Sequence, residues 1–184
     1  MVILGGGESG VGAAILCRKQ GIEVFVSDSG KIPERYKNEL KQYDIAFEEE
    51  KHSEEKILNA DEVVKSPGIP EKNELVQKIK TKGIKVISEI ELAYRHKGAG
   101  KIIAITGSNG KSTTTALTGH ICKTGGMDCA VVGNIGYSFA RQVALDPKPL
   151  YVVEVSSFQL DDIENFNADI AVLLNITEDH LDRY

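Results

Sequence analysis

The run IIAITGSNGKSTTT, residues 102–115, constrains this chain more than any other segment. An apolar strand, Ile102–Thr106, feeds a turn of Gly107, Ser108, Asn109 and Gly110, and a helix is predicted from Lys111 to Lys123. A polyphosphate cradle needs these parts in this order. Glycines let backbone N–H groups turn inward, and a helix start adds partial positive charge. Lys111 supplies a mobile cation, and the hydroxyl of Ser112, with Thr113 behind it, can ligate magnesium. The spacing departs from G-x-x-x-x-G-K-[ST], because position 105 is Ile and the turn opens at Gly107. A plain glycine-rich turn carrying a surface lysine is the alternative reading.

Beyond this loop, Cys129–Val132, Leu150–Val155 and Ile170–Leu174 are continuous apolar runs, as in parallel strands covered on both faces. Glu154 falls at the end of one of them, on the carboxyl edge where the loop also lies. Phosphoryl transfer needs metal ligands there to neutralise developing charge; a capping or ion-paired glutamate is the other reading. Asn175 and His180 follow the last strand, and alone His180 reads as a loop histidine. Asn134, in VVGNIG, could be a turn residue tolerant of left-handed backbone.

The first half alternates in the same way. Val2–Leu4, Glu23–Ser27, Glu62–Lys65 and Lys85–Ile87 are predicted strands, with helices around residues 13–17, 71–81 and 89–94. HKGAGK at 96–101 is polar and glycine-bearing, and marks a unit boundary. Gly5, Gly7 and Gly10 satisfy G-x-G-x-x-G between strand and helix, and Asp28 follows Gly10 by 18 positions at the end of the second strand. Taken alone, this is a dinucleotide fingerprint with Asp28 on a ribose hydroxyl, and a nicotinamide-dinucleotide module is its simplest owner.

Composition narrows the partners. With 27 acidic against 22 basic residues the net charge is -5, which argues against nucleic acid. No stretch approaches the ~20 apolar residues of a membrane span, and the N-terminus MVILGGGESG lacks a signal-peptide pattern. Cys17, Cys122 and Cys129 form no Cys-x-x-Cys pair and read as free thiols of a cytoplasmic protein.

The loop TGSNGKST resembles that of the Mur ligase and folylpolyglutamate synthetase superfamily, which carries T-G-[ST]-N-G-K-[ST]. Further segments resemble the same family in the same order: SPGI at 66–69, ISEIELAYR at 87–95, GNIG at 133–136 and NITEDHLD at 175–182. SSFQL at 156–160 resembles the branch that adds D-glutamate to UDP-N-acetylmuramoyl-L-alanine. The resemblance implies an α/β chain: a Rossmann-like parallel-sheet domain at 1–97, followed by the first part of a P-loop ATPase α/β domain at 98–184. It implies ATP and Mg2+, with Lys111, Glu154 and His180 catalytic and Ser112, Glu154 and His180 on metal. Asp179 and Asp182 would stand behind the metal ligands. Gly107, Ser108, Asn109, Gly110, Lys111, Ser112 and Thr113 would hold ATP. Ser9, Gly10, Asp28, Ser29, Gly68, Asn134, Ser156 and Gln159 would contact the UDP-sugar and amino-acid substrates. The family often carries leucine and arginine where this chain has Glu8 and Gly30, which leaves the uracil contacts open. The implied protein is a cytoplasmic monomer. Its next segment, with a carbamylated metal-bridging lysine, and a further domain would follow Tyr184, so the 184 residues alone are expected not to ligate. An enzyme of the family adding a different amino acid is one rival; a nonenzymatic P-loop switch is another.

Overall fold

A computed structural model of the chain describes residues 1–178. His180, Asp179 and Asp182 lie outside the described residues. Two parallel sheets are formed. The first contains β1 (Val2–Leu4), β2 (Phe25–Ser27), β3 (Ala46–Glu48), β4 (Glu62–Lys65) and β5 (Lys85–Ser88), in the order β3-β2-β1-β4-β5. Its helices are α1 (Glu8–Lys19), α2 (Glu34–Gln42), α3 (Glu54–Leu58), α4 (Glu74–Thr81) and α5 (Glu89–His96). The second sheet contains β6 (Lys101–Thr106), β7 (Cys129–Gly133), β8 (Leu150–Glu154) and β9 (Ile170–Leu173), in the order β7-β8-β6-β9. With it come α6 (Lys111–Thr124), α7 (Phe139–Leu145) and α8 (Ser157–Leu160). All strands of the first sheet run parallel, and the order in which they are added reverses at β1, which pairs with β2 on one side and β4 on the other. A crevice opens at the carboxyl ends of strands at such a switch point.

The central strands are apolar and bury both faces, whereas β9, at the edge of the second sheet, leaves Ile170 and Leu173 exposed, against the expectation that this run is covered on both sides. Ile3, Val26 and Val64 in one sheet, and Ile102, Val132, Tyr151 and Val153 in the other, are fully or almost fully buried. Helix α1 begins at Glu8, five residues before the apolar run at Ala13 that the sequence marks. Gly10 explains the early start. A Cβ there would overlap the Gly5 carbonyl oxygen, so glycine lets the helix lie against the turn that precedes it.

The two sheets share a core. Helix α1 packs on α7, and residues of both halves form one apolar cluster in which Phe139 meets Tyr151 edge-on, ring centroids 4.9 Å apart. Polar groups cross the same boundary. Arg141 of α7 donates from Nε to Glu8 Oε1 at 2.7 Å and from Nη1 to Glu39. Glu89 accepts the Ala140 N–H. Glu91 accepts the N–H groups of Glu164, Asn165 and Phe166 at 3.0, 3.0 and 2.9 Å. Lys65 pairs with Asp162 at 2.9 Å, both side chains buried. No helix among the described residues is long and apolar enough to cross a membrane.

Candidate functional site

Two cavities sit at the carboxyl edges of the two sheets. The first, about 370 Å³, lies at the switch point and is lined by Ser9, Asp28, Ser29 and Gly68, among the predicted residues, together with Gly5, Gly7, Glu8, His52 and Ser66. Asp28 does not offer a free carboxylate. Its Oδ2 accepts the Gly6 N–H at 2.6 Å and its Oδ1 the Gly30 N–H at 2.8 Å, so it holds the glycine turn against the second strand. Gly10 is buried beneath the turn rather than lining the cavity. Glu8 faces the other way as well: Oε1 accepts from Arg141 Nε and, at 3.0 Å, from the Ser138 N–H. Its charge is therefore balanced from the second sheet's side.

The second cavity, about 310 Å³, lies between the loop after β6 and the segment after β8. Gly107, Ser108 and Lys111 line one side, Ser156, Ser157 and Phe158 another. Gly107 has a φ of 141°, where a side chain would be strained, and a Cβ there would press on the Asn175 backbone. The loop is stitched to the strand that follows. Ser108 N–H donates to Asn175 O at 3.0 Å, Asn109 N–H to Asn175 Oδ1 at 2.9 Å, and Asn175 Nδ2 returns a bond to Asn109 O at 3.0 Å. Thr177 N–H donates to Ser108 Oγ at 2.9 Å. This arrangement changes the sequence expectation about which amides can face a phosphate. Those of Ser108 and Asn109 are spent on Asn175. Thr114 is the first α6 residue bonded back, to Gly110 O, which leaves the amides of Lys111, Ser112 and Thr113 at the helix start without an intrahelical acceptor. Lys111 Nζ folds over the loop onto Gly107 O at 2.7 Å and Ser108 O at 3.0 Å.

Glu154 ends β8 in register with Ile105 of β6 and Gly133 of β7. The register puts it on the edge where the loop begins. It is 1% exposed; Oε1 accepts from Asn134 Nδ2 at 2.8 Å, and Oε2 is buried with no hydrogen-bond partner. A buried, unpartnered carboxylate oxygen is costly unless something positive meets it, so Glu154 fits a bound cation. No cluster of three or more His, Cys, Asp or Glu gathers among the described residues; a metal here would draw on Glu154, nearby hydroxyls, phosphate oxygens and water, a hard-oxygen set suited to magnesium. Asn134 is thus drawn to Glu154. Gln159 is buried, and its Oε1 accepts from Ser156 N–H at 3.0 Å and Ser156 Oγ at 3.1 Å, closing a capping box on α8. Sequence reasoning missed Asn175 and Thr177 as loop partners and His52 as a cavity wall; the first two were signalled by their place just beyond an apolar strand, in the segment NITEDHLD.

The sequence pattern described as the Mur ligase middle domain matches residues 105–184, and that described as the Mur ligase MurD-like N-terminal domain matches residues 1–88. A protein of Cytophaga hutchinsonii named UDP-N-acetylmuramoylalanine–D-glutamate ligase is 60% identical over the whole chain, and one of the same name from Bacteroides fragilis is 55% identical. The chain spans 41% of the length of each of these curated relatives. Among solved structures, a UDP-N-acetylmuramate:L-alanyl-gamma-D-glutamyl-meso-diaminopimelate ligase from Neisseria meningitides superposes with a TM-score of 0.64 at 22% identity, over 100% of this chain and 62% of that one. A UDP-N-acetylmuramate-alanine ligase from Thermotoga maritima gives 0.60 at 21% identity, over 100% and 43%. The structural likenesses speak to the fold.

Proposed function

Because this chain belongs to the Mur ligase family and carries its N-terminal and middle domains, we propose that it is the front part of an ATP-dependent amide ligase that joins D-glutamate to UDP-N-acetylmuramoyl-L-alanine. The division falls at 97/98: residues 1–97 hold the UDP-sugar at the glycine turn, and residues 98–184 hold ATP. The observation that carries this reading is the pairing of β6 with β8, which sets the Lys111 loop beside a buried glutamate with one oxygen unmet.

In the ligation, the γ-phosphoryl group passes from ATP to the L-alanyl carboxylate, releasing ADP, and the amine of D-glutamate attacks the resulting acyl phosphate, expelling inorganic phosphate as the amide forms. Lys111, swinging from the Gly107 and Ser108 carbonyls, meets the charge that builds on the transferring group, and the free amides at the start of α6 add to it. Ser112 and Glu154 would hold a magnesium ion, which when bound would screen the phosphate oxygens, and His180 would serve a second ion. Asn134 keeps the Glu154 carboxylate in one orientation. Ser156 faces the cavity and Gln159 supports it from behind. These side chains position and neutralise; none forms a covalent bond. The ligase works in the cytoplasm as a monomer, without nucleic acid or membrane.

The test is phosphate release by the full-length enzyme. Turnover should require ATP, magnesium, UDP-N-acetylmuramoyl-L-alanine and D-glutamate together, and L-alanine or L-glutamate should not replace D-glutamate. Release that ignores D-glutamate would refute the assignment. The 184-residue chain alone should release none.

A further inference from the structure

His52 belongs to no predicted site, yet it lines the switch-point cavity beside Asp28, Ser29 and Gly68. Its Nδ1 lies 2.7 Å from the Ser27 hydroxyl, and that hydroxyl lies 2.7 Å from Glu48 Oε1. Ser27 and Glu48 end neighbouring strands, in register with each other, and Ser27 is fully buried. The protons in this chain of three can be assigned. Burial pushes the Glu48 carboxyl up, but the Ser53 N–H at 2.7 Å, the Ser53 hydroxyl at 2.5 Å, Ser27 and the charge of Lys51 outweigh it and hold the group below its ordinary value. Glu48 is therefore an ionised acceptor. A hydroxyl has one proton, and Ser27 must give it to Glu48, because two acceptor oxygens at 2.7 Å without a proton between them would repel. The other serine contact, the Lys51 carbonyl at 3.5 Å, is also an acceptor. Ser27 can then only accept from His52, and His52 must carry its proton on Nδ1. In the neutral ring the lone pair is left on Nε2.

We propose that His52 is a nucleotide-recognition residue, held by the Ser27–Glu48 relay as the Nδ1–H tautomer so that Nε2 accepts a hydrogen bond from an N–H or O–H of the uridine nucleotide in the switch-point cavity. The inference rests on the reading of that cavity as the UDP-sugar site. It places a nitrogen acceptor beside Asp28, whose two carboxylate oxygens already hold the Gly6 and Gly30 amides of the turn. The uracil ring carries one N–H and the ribose two hydroxyls, each able to donate to such a nitrogen.

The full-length enzyme, labelled with 15N-histidine, gives the first readout. Long-range proton–nitrogen correlation above the imidazole titration range should show His52 protonated on Nδ1, and Ser27→Ala should abolish the preference. Saturating UDP should move the Nε2 resonance and leave Nδ1 nearly unchanged. His52→Ala should weaken UDP binding about tenfold, the loss of roughly one hydrogen bond to a well-placed acceptor, and raise KM for the UDP-sugar without altering KM for ATP. His52→Gln, whose amide oxygen can reach the Nε2 position, should recover most of the affinity. An Nε2–H tautomer, or UDP binding unchanged in His52→Ala, overturns the inference and leaves the ligase reading intact. Failure of the wild-type protein to bind UDP overturns both.

Discussion

Glu89 is a carboxyl group with almost no water. It opens α5, is 1% exposed, accepts the Ala140 N–H through Oε1 and leaves Oε2 buried without a partner. Burial is the largest influence and raises its pKa; the Ala140 bond lowers it; the nearby Glu8 charge raises it again, and the result is about 7. The sign of the consequence is fixed by linkage. In the unfolded chain the group titrates near 4.5, so between that pH and about 7 the folded state keeps a proton the unfolded state has released. Stability contributed by the neutral form is complete below the unfolded pKa and is lost as pH rises through the folded one. At about 1.4 kcal/mol per unit, the loss on going from acid to above neutrality is ~3 kcal/mol. Glu89→Gln removes the titration and keeps an oxygen for the Ala140 amide. Its amide nitrogen occupies the place where the protonated carboxyl would put its hydroxyl, so both forms leave one donor unmet, and the comparison isolates the charge. Urea unfolding of the two proteins from pH 4.5 to 8.5 should give equal stabilities at the acid end and a variant ~1–3 kcal/mol more stable at the alkaline end. A difference that does not change with pH would show that Glu89 is ionised in the folded protein, and the burial argument would fall.

Other substitutions test other links. Arg141→Leu takes one cation from Glu8 and Glu39 at the inter-sheet boundary and should cost about 3 kcal/mol in urea unfolding; Arg141→Leu made in a Glu8→Gln background should cost measurably less, and equal costs would mean the pair is not coupled. Lys65→Met leaves the buried Asp162 with only the more distant Lys80, at 3.9 Å, and should lower stability by ~2–3 kcal/mol, with Lys65→Met/Asp162→Leu recovering most of it. Asn175→Ala removes the acceptor for the Asn109 amide and the donor to its carbonyl, so KM for ATP should rise about tenfold with the UDP-sugar KM unmoved. Asn134→Ala frees the Glu154 carboxylate, and the magnesium concentration for half-maximal turnover should rise several-fold; an unchanged magnesium requirement would count against the proposed role of Glu154.

Much of this architecture could be read from residue order because it is written locally. Apolar runs such as Ile102–Ile105 and Tyr151–Val153 bury both faces and have no other stable use than a covered parallel strand. Gly107–Lys111 and Gly5–Gly10 announce tight turns into helices within six residues. Short, mostly polar elements carried no such signal. Helix α2, ERYKNELKQ, buries only Tyr36 and Leu40, and β3 is three residues long. Helix α8 owes its start to a capping box, so Gln159, read as a substrate contact, turned out to be buried in local structure.

Polar partners far apart in sequence were the least legible. Glu8 stood out only as a departure from the family's usual leucine. In three dimensions it answers Arg141, 133 positions away, and the Ser138 amide that starts α7. Asn134, at the other end of the loop leading into that helix, holds Glu154. One carboxylate at the mouth of the nucleotide cavity thus anchors the segment that orients a second carboxylate, at the strand end opposite Ile105 where the phosphate loop begins. No periodicity or motif spacing records such a link, because the Glu8 bonds join elements of different sheets, the Asn134 bond joins the ends of two strands 20 positions apart, and the energy of both comes from burial that only the assembled core provides. A charge reversal at Glu8 would therefore be felt in two places, as repulsion against Arg141 and as a loosened Asn134 loop. The loop effect would appear in the magnesium dependence even at temperatures where the protein stays folded.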